Sequence, residues 1–235
     1  MLAYEMRSMA IPSQPIKSRP KFTFFDGLSE ADTGAVLAAA RRKKITADHV
    51  VIQAGEPARH MFLLEAGRAK YYRLSKGGDE VLLGLLCAGD VFGVGTLLGH
   101  PLPYIGTAEA VQDCALYVWE RSQMRHLAQR YPQLAENSLR TLLQYMATHA
   151  DHFVGLITEN AEQRLEHALL HMGNRTGQIH PDGVEVEVTN EQLSALAHVS
   201  RFTVSRLLSK LGHSGAVAKK RGKILIHSPE ALLVE

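Results

Sequence analysis

The C-terminal third of the chain turns on one run of residues, Thr189-Asn190-Glu191-Gln192-Leu193-Ser194-Ala195-Leu196-Ala197-His198-Val199-Ser200-Arg201-Phe202-Thr203-Val204-Ser205-Arg206-Leu207-Leu208-Ser209-Lys210-Leu211. Thr189 with Gln192 three positions on is a capping box, in which each side chain satisfies a backbone N–H at a helix start. Leu193, Leu196 and Ala197 then share one face of a short helix. The period breaks at His198-Val199, and Ser200 is a good N-cap for a second helix whose Val204, Leu207, Leu208 and Leu211 face inward. Two short helices joined by a tight turn make a helix-turn-helix. Its second helix presents Arg201, Phe202, Ser205, Arg206 and Ser209 outward. Arginine at the exposed start of such a helix can donate paired hydrogen bonds to guanine O6 and N7 in a major groove.

Local charge points the same way. Between Gln192 and Pro229 there is no Asp or Glu, while Arg201, Arg206, Lys210, Lys219, Lys220, Arg221 and Lys223 fall inside the stretch. Lys219 to Lys223 sit on a hairpin turning at Arg221-Gly222, a wing that could rest on phosphates. A lysine run is ordinarily a solvated face; beside a helix-turn-helix it points to double-stranded DNA. Upstream, Asn160-Ala161-Glu162-Gln163 is another capping box, so a new domain begins there, with a helix over Arg164 to Met172 and a hairpin around His180-Pro181-Asp182-Gly183.

From Arg121 to Leu156 the period is helical. Leu139, Leu142, Met146, His149, Phe153 and Leu156 recur at alternating three- and four-residue steps, the seam of a coiled coil. Packing on the chain's own barrel and self-association both satisfy such a stripe. Between Ile45 and Trp119 short apolar runs alternate with glycines, the pattern of an all-β roll or barrel. Ser29 caps a short helix reaching toward Arg41. The expected class is therefore α+β. A loosely held arm (1–21) precedes an antiparallel β-roll of double-stranded β-helix or jelly-roll type (22–129). A long dimerisation helix (130–158) and a winged helix-turn-helix (159–235) follow.

Composition sets the limits. The 235 residues are 46% hydrophobic and 21% charged, as in an ordinary soluble protein, and the formal net charge of +2 is too small for a chain that is basic throughout. Cys87 and Cys114 alone cannot build a disulfide framework or a four-cysteine site, and a reducing cytoplasm fits them. The longest apolar stretch, Val81 to Leu98, is broken by glycines and Asp90 and cannot span a membrane; no secretory signal is seen. Histidine is the unusual component, at 12 residues.

The order of parts resembles the CRP/FNR family of bacterial transcription regulators. In the roll the resemblance rests on Gly55-Glu56, Glu65-Ala66-Gly67, Gly89-Asp90-Val91-Phe92-Gly93 and Thr107-Ala108-Glu109-Ala110. In the C-terminal part it rests on the helix-turn-helix run and the wing. It implies a homodimer on an inverted-repeat promoter site, with RNA polymerase as a further partner if the protein activates. Carried over by position, Arg201 and Arg206 match the family's guanine-reading arginines, and Ser200 and Thr203 stand where phosphate contacts fall. Phe202 departs from the pattern, since most members carry Glu there to accept from cytosine N4. A phenyl ring accepts no such bond, so the half-site is expected to differ at that base pair.

The resemblance does not supply an effector. Cyclic-AMP-binding members follow Phe-Gly with Glu and place an Arg pair after the next loop; here Val94 and Leu102-Pro103-Tyr104 occupy those places. No Lys or Arg occurs between Lys76 and Arg121. A cyclic phosphate buried without a cation from that stretch would cost several kcal/mol, so cyclic AMP in the usual mode is not expected. Val94, Tyr104, Ile105 and Thr107, with Tyr145 and His149 on the long helix, suggest an apolar pocket for an unidentified small organic effector, or for none. The iron-sulfur branch needs N-terminal cysteines, which residues 1–30 lack, whereas haem at His149 is an open alternative. No catalytic constellation emerges: Gly55-Glu56 and His60 echo metal-binding cupins faintly, without a His-x-His pair. A ligand-binding or interaction module that does not bind DNA is the other reading left standing.

Overall fold

The computed structural model describes residues 22–100, 102–220, 222–228 and 232. The expected arm over 1–21 lies outside them. A 3-10 turn (Thr23–Phe25) leads into α1 (Glu30–Ala38), capped by Ser29, whose side chain accepts from the Asp32 backbone N–H. Eight strands follow: β1 (Arg41–Ile45), β2 (Val50–Ile52), β3 (His60–Ala66), β4 (Arg68–Leu74), β5 (Glu80–Cys87), β6 (Val91–Phe92), β7 (Thr107–Ala110) and β8 (Cys114–Glu120). They pair antiparallel in two sheets, β1-β8-β3-β6 and β2-β7-β4-β5, which form the roll.

Strand alternation explains how one sheet serves two cores. On β3, Phe62 and Leu64 point into the roll with Phe92, Leu116 and Val118, while Met61 and Leu63 point outward. That outer face would be wet in a bare sandwich; here it is covered by α1, by α2 (Arg121–Arg130) and by the start of α3 (Gln133–Thr158). Trp119, fully buried there, donates from Nε1 to the Val36 carbonyl at 2.8 Å, so its N–H is not orphaned. Asn137 fixes α3 by donating to the carbonyls of Phe24 (3.0 Å) and Asp26 (2.8 Å). Gly93 ends β6 at φ 78°, and a Cβ there would lie 2.5 Å from the His60 carbonyl oxygen; only glycine allows β6 to lie this close to β3.

The helical stretch expected from Arg121 is two helices, broken at Tyr131-Pro132. Proline pushes the preceding residue out of the helical region, and Pro132 becomes the N-cap of α3. The 26 residues of α3 extend about 39 Å at 1.5 Å each, and only Leu134, Asn137, Ser138 and Gly155 among them are buried.

The Asn160 capping box opens α4 (Ala161–Thr176), with Asn160 Oδ1 accepting from the Glu162 and Gln163 backbone at 2.9 and 3.1 Å. Then come β9 (Gln178–His180), β10 (Gly183–Glu187), α5 (Asn190–Ala197), α6 (Arg201–His213), β11 (Val217–Lys220) and β12 (Lys223–Ile226), with the sheet order β11-β12-β10-β9. Leu165, Leu169, Met172, Val186, Leu193 and Val204 fill the core between these helices and the sheet. Leu85 of β5 is buried in that same cluster, so the C-terminal domain is docked on the roll. Arg68 reinforces the dock by donating to the Glu187 carbonyl at 2.6 Å and pairing with its carboxylate, and Arg175 pairs with Asp90.

Candidate nucleic-acid interface

The turn between α5 and α6 is built from local hydrogen bonds. Thr189 and Gln192 exchange backbone bonds at 3.1 and 2.9 Å, as their spacing requires. His198 takes a left-handed conformation (φ 49°), uncommon for a residue with a Cβ, and its N–H reaches the Ser194 carbonyl. Ser194 Oγ donates to the Val199 carbonyl at 2.6 Å, and Ser200 Oγ accepts from the Thr203 N–H at 3.0 Å. Arg164 ties this turn to the end of α3, donating to the carbonyls of Ala197 (3.0 Å) and Glu159 (2.7 Å).

Helix α6 buries Val204, Leu207, Leu208 and Leu211, and that inner row fixes what faces out. Phe202, Ser205, Arg206 and Ser209, spaced i, i+3, i+4, i+7, form one exposed row. Arg206 forms no ion pair or hydrogen bond among the described residues, so its guanidinium is available for a ligand. Arg201 is also exposed but pairs with Glu191 of α5. Ser200 and Thr203 are engaged with each other at 2.9 Å, and Ser209 donates back to the Ser205 carbonyl. On the wing, Glu185 of β10 holds Lys223 at 2.5 Å and Lys220 at 3.6 Å. Those lysines pull the Glu185 carboxyl below its ordinary range, chiefly through the Lys223 hydrogen bond, and Lys223 is raised in turn. Lys219 is exposed, and Arg221 lies outside the described residues. The acids that restrain these cations, Glu185 and Glu191, both lie just before the acid-free stretch, so a charge count within that stretch does not include them.

The six residues read as an effector pocket do not line one cavity. A cavity of about 390 Å³ opens at one end of the roll, walled by Ile52, Glu56, Arg59, His60, Phe62 and Tyr104. Of the six, Tyr104 alone lines it, and its hydroxyl is already satisfied, donating to the His60 carbonyl (2.9 Å) and accepting from the His60 N–H (3.1 Å). Val94 packs on the outer core around Trp119, Ile105 is exposed, and Thr107 is buried with Oγ1 accepting from the Ala54 N–H. Tyr145 meets Tyr71 and His149, with ring centroids 6.3 and 4.1 Å away, and burial raises its phenol strongly. A second cavity of about 240 Å³ lies between the roll and the C-terminal domain, where Arg68, Arg175 and Lys223 are each paired with a carboxylate.

Along α3 the exposed apolar seam is Leu139, Leu143, Met146, Phe153 and Ile157, with Val154 and Leu156 beside it. Leu142 and His149 are half-buried on the flank toward Tyr71. The reading from sequence shares Leu139, Met146 and Phe153 with this seam and differs at the alternate positions, because both flanks of the stripe carry apolar residues and only the roll's position separates them. His149 makes no metal-ligand group: among the described residues no set of three or more His, Cys, Asp or Glu could hold a metal ion.

Comparison with known proteins matches two family models, a cyclic nucleotide-binding domain over residues 42–131 and a Crp-like helix-turn-helix domain over residues 163–234. The Cyclic AMP receptor protein of Thermus thermophilus is 31% identical over 212 residues, covering 90% of this chain and 94% of that protein. The CRP-like cAMP-activated global transcriptional regulator of Mycobacterium tuberculosis is 24% identical over 210 residues, covering 88% and 93%. Among solved structures, FixK2 from Bradyrhizobium japonicum superposes with a TM-score of 0.72 at 22% identity, over 82% of this chain and 95% of that one, a likeness of fold.

Proposed function

Because the chain belongs to the CRP/FNR family of transcription regulators, we propose that it binds an inverted-repeat DNA site as a homodimer, with α6 of each protomer in the major groove. Arg206 reads a guanine, and Arg201 joins it by exchanging Glu191 for DNA. Ser200 and Thr203 meet the flanking backbone, Ser205 lies in the groove, and Lys219, Lys220, Arg221 and Lys223 rest on phosphates. The observation that carries this reading is the exposed row of α6, which holds an unpaired guanidinium on a face with no acid of its own. The seam of α3 supports the dimer: five large apolar side chains, at steps of four, three, seven and four residues along one face, are 56% to 70% exposed in the protomer, more than a lone helix leaves to water. Two recognition helices one helical turn apart then match two half-sites.

The relatives are transcription regulators, and among the described residues no helix is long and apolar enough to cross a membrane. We place the protein in the cytoplasm, without catalytic activity, and with RNA polymerase as partner if it activates. Its control is by a small effector other than cyclic AMP in the usual mode, or it is constitutive; the stretch from Gly77 to Glu120 has no cation to offer a cyclic phosphate. Selection from random duplexes tests the reading. The expected result is an enriched inverted repeat whose affinity falls about 5- to 150-fold with Arg206→Ala, corresponding to ~1–3 kcal/mol for a bidentate contact. Equal binding of wild type and variant to all duplexes would overturn it.

A further inference from the structure

Phe202 is the most exposed large apolar side chain described, at 77%, and it stands at the second position of α6, at the head of the row shared with Ser205, Arg206 and Ser209. It has no ring partner among the described residues. Nothing in the fold needs it: the inner row of α6 is complete without it, and a phenyl ring left in water forgoes the burial that usually accounts for an aromatic residue. Its immediate neighbours on the surface are cationic or hydroxylic, Arg201, Ser205 and Arg206, so the ring is not part of an apolar patch for another protein surface.

We infer that Phe202 is a specificity-determining residue that reads the C5-methyl group of a thymine in the major groove. This rests on the reading that α6 enters that groove. The groove edge of a base pair consists of hydrogen-bonding groups plus one apolar feature, the thymine methyl. A phenyl ring pressed on the hydrogen-bonding groups strips their water and returns nothing, so it penalises those bases. Pressed on the methyl, it removes two apolar surfaces from water together. The position follows from the helix: four residues separate Phe202 from Arg206, which is about 6 Å along the axis at 1.5 Å per residue. With base pairs about 3.4 Å apart, the thymine lies within about two base pairs of the guanine that Arg206 reads.

The test uses the full-length protein and its selected duplex, with each thymine replaced singly by deoxyuridine, which removes the methyl and leaves every hydrogen-bonding group. For wild type, one replacement within about two base pairs of the Arg206-dependent guanine should weaken binding about fourfold, the partition of one methyl-sized group. In Phe202→Ala the same replacement should have no effect, while Phe202→Leu should retain part of it. An enriched site that still needs Arg206 but is indifferent to every deoxyuridine, or loses equally in wild type and Phe202→Ala, would overturn the inference and leave the groove reading standing. Failure of any site to enrich would overturn both.

Discussion

His171 gives the stability of this protein a calculable dependence on pH. It lies on α4 facing α3, half-buried, with His149, His152 and Arg175 as its charged or chargeable neighbours. Burial first, then Arg175 and the two histidines, push its imidazole from 6.5 down to about 4. The unfolded chain therefore takes up a proton near 6.5 that the folded chain resists until about 4, so the unfolded state binds more protons in that window. Stability from this group is complete above the unfolded value, declines as pH falls below it, and is gone by the folded value. At pH ~5 the deficit is about 1.5 logarithmic units, or ~2 kcal/mol at 1.36 kcal/mol per unit. Urea denaturation of wild type and His171→Gln at pH ~7.5 and ~5 isolates the contribution by difference. Wild type should lose ~2 kcal/mol more than the variant over this interval. His149, His152 and His198, also shifted down mainly by burial, act in the same direction in both proteins and largely cancel. A variant that loses stability as steeply as wild type would refute the argument.

The remaining predictions concern the site, the seam and the core. Lys220→Ala should weaken binding to all sequences alike and lower the slope of log K against log salt by about 0.9, the value of one phosphate contact. Lys223→Ala should lower it by the same amount, since Glu185 yields its lysines to phosphate, and both slopes are read by anisotropy titrations at several salt concentrations. Leu143→Glu should convert the proposed dimer to monomer by light scattering, since a charge in the seam that dimerisation would bury costs several kcal/mol, whereas Leu142→Glu should lower thermal stability through its own protomer. Asn137→Ala should cost about 1–3 kcal/mol in chemical denaturation, by orphaning the carbonyls of Phe24 and Asp26.

What the sequence disclosed was what short-range chemistry determines. The caps at Ser29, Asn160, Thr189 and Ser200 form with the partners their spacing implies, because an N-cap and its third residue meet wherever a helix starts. The inner row of α6 followed from its period, and its outward row with it. The roll was legible as a class from its glycine punctuation, but the pairing of Arg41 with Val118, 77 positions on, was not, since period-two patterning names faces and not neighbours. The seam of α3 was half legible: its spacing fits two adjacent stripes, and Tyr71 on a distant strand decides between them. The residues read as a pocket part for a different reason. Val94, Ile105 and Thr107 were grouped by position relative to a family pattern, and the fold sends them apart: Val94 on a 3-10 turn packs into the outer core, Ile105 lies on an exposed bend, and Thr107 is buried at the start of β7.

The docked geometry also explains how a DNA-binding protein can carry a net charge of only +2. Most cations of the α6 and wing surface are not stored bare. Arg201 is held by Glu191, Lys210 by Glu162, and Lys220 and Lys223 share Glu185, while Arg206 is left unpaired. Ion pairs at a solvated surface are weak, so these yield readily to a phosphate that offers a stronger local field. Exchange is not free of consequence, however, because each departing cation leaves a carboxylate facing the duplex. Where the site geometry lets Arg201 bond a guanine edge, the bond offsets the exposed Glu191; on a mismatched sequence only the repulsion is left. On the proposed reading the acids suppress loose binding more than specific binding, and Arg206, unpaired in the protomer, would engage the correct sequence first.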